Sequence, residues 1–363
     1  MSKKFQIPWS KPDISDNEKK AILQVMESDW YSQGPLTKKF EDKLSDYLGS
    51  NVSVVNNGTS AIICALLAHN FKPNDKVLVP DFTFFATLSA PKLLGAKVMT
   101  TDIDPKTLNI STEQVEEIVK NNDIKFVIVV DIAGLPVDID AFEDLAKKYK
   151  FTLIEDAAQA LGSEYKHKKT GSFNHTTTFS FHIAKQITTI EGGCVSSSDE
   201  NISKRIKQLR DHGRIDAKNY THNIIGSNFR TTDLQSSIGL EQLKKIEMYI
   251  SRRNHISKKY KDKIKNVIFQ ENPNYSIRHS NMMFFTIYPN KTIRDQNFKI
   301  LQENGIDAKL PWPPLHIQPA NPELNQNIHE NTKIISDTSL MLPIFNGMTD
   351  EEANYVIECC NNI

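Results

Sequence analysis

The chain has 363 residues, enough for a large domain and a smaller one. Its 44 Lys and Arg residues balance 44 Asp and Glu, which excludes the broad basic face that nucleic acid or an anionic membrane would require. Hydrophobic residues make up 39% and charged residues 24%, an ordinary composition for a globular protein.

The opening Met1-Ser2-Lys3-Lys4-Phe5-Gln6 carries charge without an apolar stretch behind it, so no signal peptide is expected. The apolar runs at 62–68 and 126–130 are too short to span a bilayer, and no membrane partner is expected. The spacing of Cys64, Cys194, Cys359 and Cys360 fits neither a zinc site nor a disulfide framework. Free thiols in a cytoplasmic protein without a metal are the expectation.

Short β-rich runs and helical patterns alternate through the first two thirds of the chain. The predicted strands are 77–79, 97–99, 126–130, 152–154, 178–181 and 194–196, with helices over 61–68, 83–94, 111–120 and 141–149 between them. Strand–helix alternation with continuously apolar strands predicts an α/β fold whose mostly parallel sheet is covered on both faces. One long helix is predicted over 233–260. The character then changes to a strand over 280–288, a helix over 295–304 and a Pro-rich loop. The expected division is a large domain, 1–250, including the N-terminal segment, and a small C-terminal domain, 251–363.

Ligands of such sheets bind beyond the carboxyl ends of the strands, so the polar residues there carry the chemistry. Asp156 closes the strand at 152–154. A carboxylate in that place needs a partner, and a helix N-terminus, an arginine or a cationic ring nitrogen would each serve. Lys185 follows the strand segment Phe179-Ser180-Phe181, in a turn that leads through Glu191-Gly192-Gly193 into the next strand. Most lysines are solvated surface charges, but one desolvated near a cationic ring becomes a nucleophile towards an aldehyde. Asn57-Gly58-Thr59-Ser60 opens the helix at 61–68, which makes either a plain N-cap or an anion site built from backbone N–H groups. Neither G-x-x-x-x-G-K-[ST] nor G-x-G-x-x-G occurs, which argues against ATP and dinucleotide sites. Together the three segments supply a phosphate cradle, a ring-nitrogen partner and a Schiff-base lysine.

With these segments in place, the chain resembles the DegT/DnrJ/EryC1/StrS sugar aminotransferases within the fold-type-I enzymes that use pyridoxal 5′-phosphate (PLP). The matching stretches include Trp30-Tyr31-Ser32-Gln33-Gly34-Pro35, Asn57-Gly58-Thr59-Ser60-Ala61, Pro80-Asp81-Phe82-Thr83-Phe84 and Ile154-Glu155-Asp156-Ala157-Ala158-Gln159. Phe179 through Lys185 and Gly226-Ser227-Asn228-Phe229-Arg230-Thr231-Thr232-Asp233 follow in the family's order. The resemblance implies a seven-stranded, mostly parallel sheet between helices and a smaller α+β C-terminal domain. It implies that Lys185 links to the cofactor and moves the substrate proton, and that Asp156 pairs with the pyridinium nitrogen. By the same resemblance Gly58, Thr59 and Ser180 hold the phosphate, Phe84 stacks on the ring, and Gln159 lies near the ring face and its phenolic oxygen. Asn228 would reach the cofactor phosphate of a second subunit, giving a homodimer with shared active sites. Arg230 would meet either the amino donor's carboxylate or the nucleotide phosphates, with a dimer salt bridge as the plain alternative. His182 and His316 are candidate substrate residues, although a histidine in a Pro-rich loop is more often merely exposed.

The implied reaction moves an amino group, from glutamate, to a nucleotide-linked keto-sugar such as a 4-keto-6-deoxyhexose, in polysaccharide or glycan synthesis. Three other readings compete. Sugar dehydratases on this scaffold carry histidine where Lys185 stands. A non-catalytic regulator would be expected to lose Lys185 or Asp156, or to gain a DNA-binding appendage. A nicotinamide oxidoreductase lacks its glycine fingerprint here.

Overall fold

A computed structural model describes residues 6–215, 220–325 and 329–362. The strands of the N-terminal region are β1 (Asn51–Val55), β2 (Lys76–Pro80), β3 (Lys97–Thr101), β4 (Phe126–Val130), β5 (Thr152–Asp156), the two short strands β6 (Glu164–Tyr165) and β7 (Lys168–Lys169), then β8 (Thr176–Ser180) and β9 (Gly193–Ser197). Seven of them form one sheet in the order β1-β9-β8-β5-β4-β2-β3, all parallel except β9. The predicted α/β sheet is therefore present. β1 was not predicted.

Both faces of this sheet are buried because neighbouring strand residues point to opposite sides and both are apolar. Val79, Ile128 and Ile154 pack towards one side, with Ile62, Ala65 and Leu66 of α1 (Gly58–Ala68) and with Ile206 and Leu209 of the helix Glu200–Leu209. Leu78, Val127 and Leu153 pack towards the other, under Val115 and Phe142 of the helices Thr112–Asn121 and Ile139–Tyr149. α1 is apolar almost all round, as a helix covered on every side should be.

The predicted helix over 83–94 is shorter, forming only at Ala86–Leu93. The predicted 233–260 helix is two helices, Asp233–Leu243 and Ile246–Lys263, broken at Lys244 and Lys245. No Gly or Pro marks this break, so the periodicity reads straight through it. The second of these helices spans two cores. Its Ile246, Tyr249 and Ile250 pack beside Phe179 and Phe181, whereas Ile256 and Tyr260 pack with Phe284, Leu340 and Leu342.

Beyond it lies a three-stranded antiparallel sheet of β10 (Ile268–Phe269), β12 (Phe284–Ile287) and β13 (Ser339–Leu342), in the order β10-β12-β13. β11 (Ser276–Arg278) joins β6 and β7 in a third small sheet. Of the strand predicted over 280–288 only Phe284–Ile287 forms. The helix predicted over 295–304 begins earlier, at Lys291, where the Asn290 side chain caps Ile293 N–H. Ile7 bridges to Ile306, which ties the N-terminal segment to this second core. Among the described residues no helix is long and apolar enough to cross a membrane.

Candidate active site

The carboxyl ends of β1, β2, β5 and β8 open on one edge of the large sheet. Register fixes their spacing: Val55 lies opposite Gly193, and Gly193 opposite Ser180. A cavity of about 590 Å³ lies at this edge. Gly58, Thr59, Ser180 and Lys185 line it. Phe84, Asp156, Gln159 and His182 do so as well.

α1 delivers its N-terminus to the cavity. Asn57 Oδ1 accepts Ser60 N–H at 2.8 Å, and the amides of Gly58 and Thr59 precede the first intrahelical donor, Ala61 N–H, which bonds Asn57 O. A Cβ placed on Gly58 would lie 3.0 Å from Ser180 Cβ, so the helix end and the Ser180 hydroxyl close on one small space. That is an anion cradle made of amides, a hydroxyl and a helix dipole.

Asp156 is buried at the end of β5. Its Oδ2 accepts the Thr87 hydroxyl at 2.8 Å and its Oδ1 accepts Ala158 N–H at 3.2 Å. Burial raises its pKa, and the Thr87 and Ala158 donors and the Lys185 charge partly offset this. A cationic partner from the cavity would favour its ionised form further. Lys185 responds in the opposite sense: burial lowers its pKa to about 8, against the attraction of Asp156. The turn that presents it is braced locally, with Lys185 N–H donating to His182 O and Thr189 N–H donating to Phe181 O.

Gln159 is fixed by Ala133 N–H, which donates to its Oε1 at 2.7 Å. Its Nε2 is therefore left as the donor facing the cavity. Phe84 is 55% exposed, a large value for an aromatic ring, because its side chain borders the cavity. Trp312 meets it edge-on with ring centres 6.2 Å apart.

Three predicted site residues lie elsewhere. Asn228 is exposed and does not line the cavity of this chain. Arg230 is paired within the chain, with NH1 2.5 Å from Asp211 Oδ1. Asp211 also holds Arg214, and the two guanidinium groups outweigh burial to keep its carboxyl below the ordinary range. His316 is buried, not exposed as a Pro-rich loop suggested, because its backbone N–H and its Nδ1 both bond the carboxylate of Asp81, at 2.8 and 2.5 Å.

The cavity also includes residues that local sequence reading missed. Trp9, Trp312, Met282 and Met283 form a wall supplied by the N-terminal segment and the C-terminal third of the chain, packed with Phe82, Ile132 and Phe285. Thr87, the hydroxyl on Asp156, carried one readable signal: it lies one helical turn after Thr83, whose hydroxyl it meets at 3.0 Å.

A lysine with a lowered pKa, a carboxylate fixed beside it and an anion cradle on the same cavity form a constellation that can be compared with known proteins. The model of the DegT/DnrJ/EryC1/StrS aminotransferase family matches residues 12–361. The chain belongs to this family. The aminotransferase is 30% identical to the GDP-perosamine synthase of Caulobacter vibrioides, over 100% of both chains. Among solved structures it matches Spr1654 of Streptococcus pneumoniae in its PLP form, with a TM-score of 0.92 at 26% identity over 98% of each chain. It also matches Helicobacter pylori PseC, an aminotransferase involved in the biosynthesis of pseudoaminic acid, with a TM-score of 0.92 at 26% identity, covering 99% of this chain and 98% of that one. The aminotransferase uses PLP. Its residues fit that cofactor: the Gly58–Ser180 cradle suits a phosphate, and the buried Asp156 carboxylate suits a protonated ring nitrogen.

Proposed function

We propose that this aminotransferase moves an amino group from glutamate to the keto carbon of a nucleotide-linked sugar, with a 4-keto-6-deoxyhexose as the acceptor. The observation that carries the reading is Lys185 and Asp156 on one cavity whose other end is the Gly58–Thr59 cradle. The likeness to a GDP-perosamine synthase along the whole chain supports the nucleotide-sugar class.

The cofactor supplies an electrophilic aldehyde and an electron-withdrawing ring. Each residue then has a task set by its surroundings. The amides of Gly58 and Thr59 and the Ser180 hydroxyl would hold the phosphate. Asp156 would accept the ring N–H and keep it protonated. Gln159 Nε2 would donate to an oxygen on the ring. Lys185 Nζ, with its pKa lowered to about 8 so that a substantial fraction is neutral, would bond the cofactor's aldehyde carbon with loss of water and, once displaced by the donor's amine, would take and return the proton at the carbon that gains or loses nitrogen. Phe84 and Trp312 cover the cavity and exclude water from it. Asn228, exposed on its own chain, reaches the phosphate in a second copy, so two chains complete two sites.

The test is a panel of nucleotide-linked 4-keto and 3-keto sugars, incubated with enzyme, PLP and glutamate and read by mass spectrometry. A 4-keto sugar should gain an amino group. Amination confined to 3-keto sugars would move the acceptor position, and release of water without nitrogen gain would replace the reading with dehydration.

A further inference from the structure

Lys185 is followed by a glutamine that is 1% exposed, an unusual place for an amide side chain. Gln186 Nε2 donates to the carbonyl of Gln159 and, at 2.8 Å, to Ser280 Oγ. Ser280 Oγ in turn donates to the same Gln159 carbonyl at 3.1 Å. The Gln186 backbone carbonyl, one peptide from Lys185, accepts Asn346 Nδ2 at 2.8 Å. Asn346 Oδ1 accepts Arg253 Nε, also at 2.8 Å.

Arg253 is the unexpected member. It is 1% exposed, and no carboxylate lies within ion-pair distance of it among the described residues. Its NH1 spreads instead over the carbonyls of Asn281, Met282 and Ile344, each at 3.1 Å. Burial lowers its pKa to about 10. A buried cation without a counter-charge is costly, and apolar packing would serve stability more cheaply. What this cation does hold is geometry. One guanidinium fixes the main chain at Met282, whose side chain lines the cavity, and also fixes the amide that grips the Lys185 turn.

The junction has no slack. Gly134 lies at φ +94° beneath it, and a Cβ there would come 2.1 Å from Ser280 Oγ and 2.6 Å from the Gln159 carbonyl.

We infer that Asn346, held by Arg253, is a positioning residue for Lys185: it sets the lysine turn against the wall that carries Met282. The inference rests on Lys185 being the lysine that bonds PLP. It does not touch cofactor or substrate itself, and its effect passes through the Lys185–Gln186 peptide.

Asn346→Asp keeps an acceptor for Arg253 but replaces the donor to the Gln186 carbonyl by an oxygen. Asn346→Ala removes both contacts without adding charge. Either folded variant decides the matter, so failure of one to fold leaves the other. Covalent attachment of PLP to the apo-protein, followed by visible absorbance, should slow by about 10- to 100-fold, the scale of a displacement of up to about 1 Å. kcat should fall with it while KM for the amino donor changes by less than about twofold, as expected for lost positioning. In the apo-protein, the pH midpoint for chemical labelling of Lys185, read by mass spectrometry, should rise by about one unit as the side chain loses its enclosed place. A purely structural role would lower the melting temperature but leave attachment rate and labelling midpoint unchanged, and that result overturns the inference. Borohydride reduction of the wild-type enzyme separates the two levels. PLP fixed to a lysine other than Lys185 defeats the functional reading, whereas PLP on Lys185 with unaltered variants defeats only the positioning.

Discussion

At the scale of single residues the decisive quantity is the lowered pKa of Lys185. Burial favours the neutral amine, so the reactive form dominates above about pH 8 instead of above 10.5. At pH 7 about one molecule in ten then carries a neutral Lys185, against about three in ten thousand for an ordinary lysine. The rate of PLP attachment to apo-protein should climb about tenfold from pH 7 to 9 and then level off, and a stopped-flow series would show this. A rate still rising steeply beyond pH 9.5 would mean an unperturbed lysine. Lys185→Ala should still bind PLP without a covalent bond, while turnover falls by about 10²- to 10⁴-fold, the ordinary contribution of a positioned acid–base group. The sequence allowed Lys185 and Asp156 to be singled out because Asp156 ends β5 and Lys185 lies in the turn five residues beyond β8, and strand ends are legible from apolar runs. His316 was not legible in that way. Its burial depends on Asp81, far away in the chain, and nothing in the Pro-rich loop announces a carboxylate partner.

Elements show how the sheet carries the polar residues behind the site. Glu155 and Asp156 are neighbours on β5, and Glu155 turns from the cavity to accept Thr177 Oγ1 at 2.7 Å and to meet His175 Nε2 at 3.1 Å. His175 also meets Glu143 through Nδ1. Burial alone would lower the histidine's pKa, but the two carboxylates outweigh it and raise it to about 9. A folded pKa above the unfolded value of about 6.5 stabilises the fold fully below pH 6.5, and this is lost as pH rises through 9. His175→Gln should therefore cost about 3 kcal/mol at pH 6 and clearly less at pH 9.5, measured by urea unfolding of both proteins at each pH. An equal loss at both pH values would show that the histidine is neutral. Element boundaries were less legible than element types. β1 holds the buried polar Ser53 and starts from the exposed Asn51, which breaks the apolar run that identified the other strands. The break at Lys244 and Lys245 has no local marker at all.

For the whole molecule, the residues left outside the cavity matter most. Asn228 is exposed, and nearby Tyr220 and Ile225 are 84% and 93% exposed, large apolar surface for an isolated chain to leave in water. If a second copy covers this surface and Asn228 completes its phosphate site, two defective variants should rescue each other. Lys185→Ala and Asn228→Ala, each nearly inactive, should recover about a quarter of wild-type activity when unfolded together and refolded as mixed dimers, since half the dimers then hold one intact site. Activity that stays at the sum of the parents would place each site within one chain. The large sheet was readable from alternation, but the Trp9–Trp312 wall was not. Those rings come from opposite ends of the chain, and only their shared packing around Phe82, Ile132, Met282 and Met283 brings them to the cavity that Phe84 borders.

That wall also gives the protein an optical property. The chain has three tryptophans, and two of them, Trp9 and Trp312, border the cavity that takes a chromophore absorbing where indole emits. Loading with PLP should therefore quench most of the intrinsic fluorescence and leave chiefly the emission of Trp30, which is 56% exposed and does not line the cavity. Removing Trp30 by substitution with Phe would turn the remaining light into a direct gauge of cofactor occupancy, readable without any substrate.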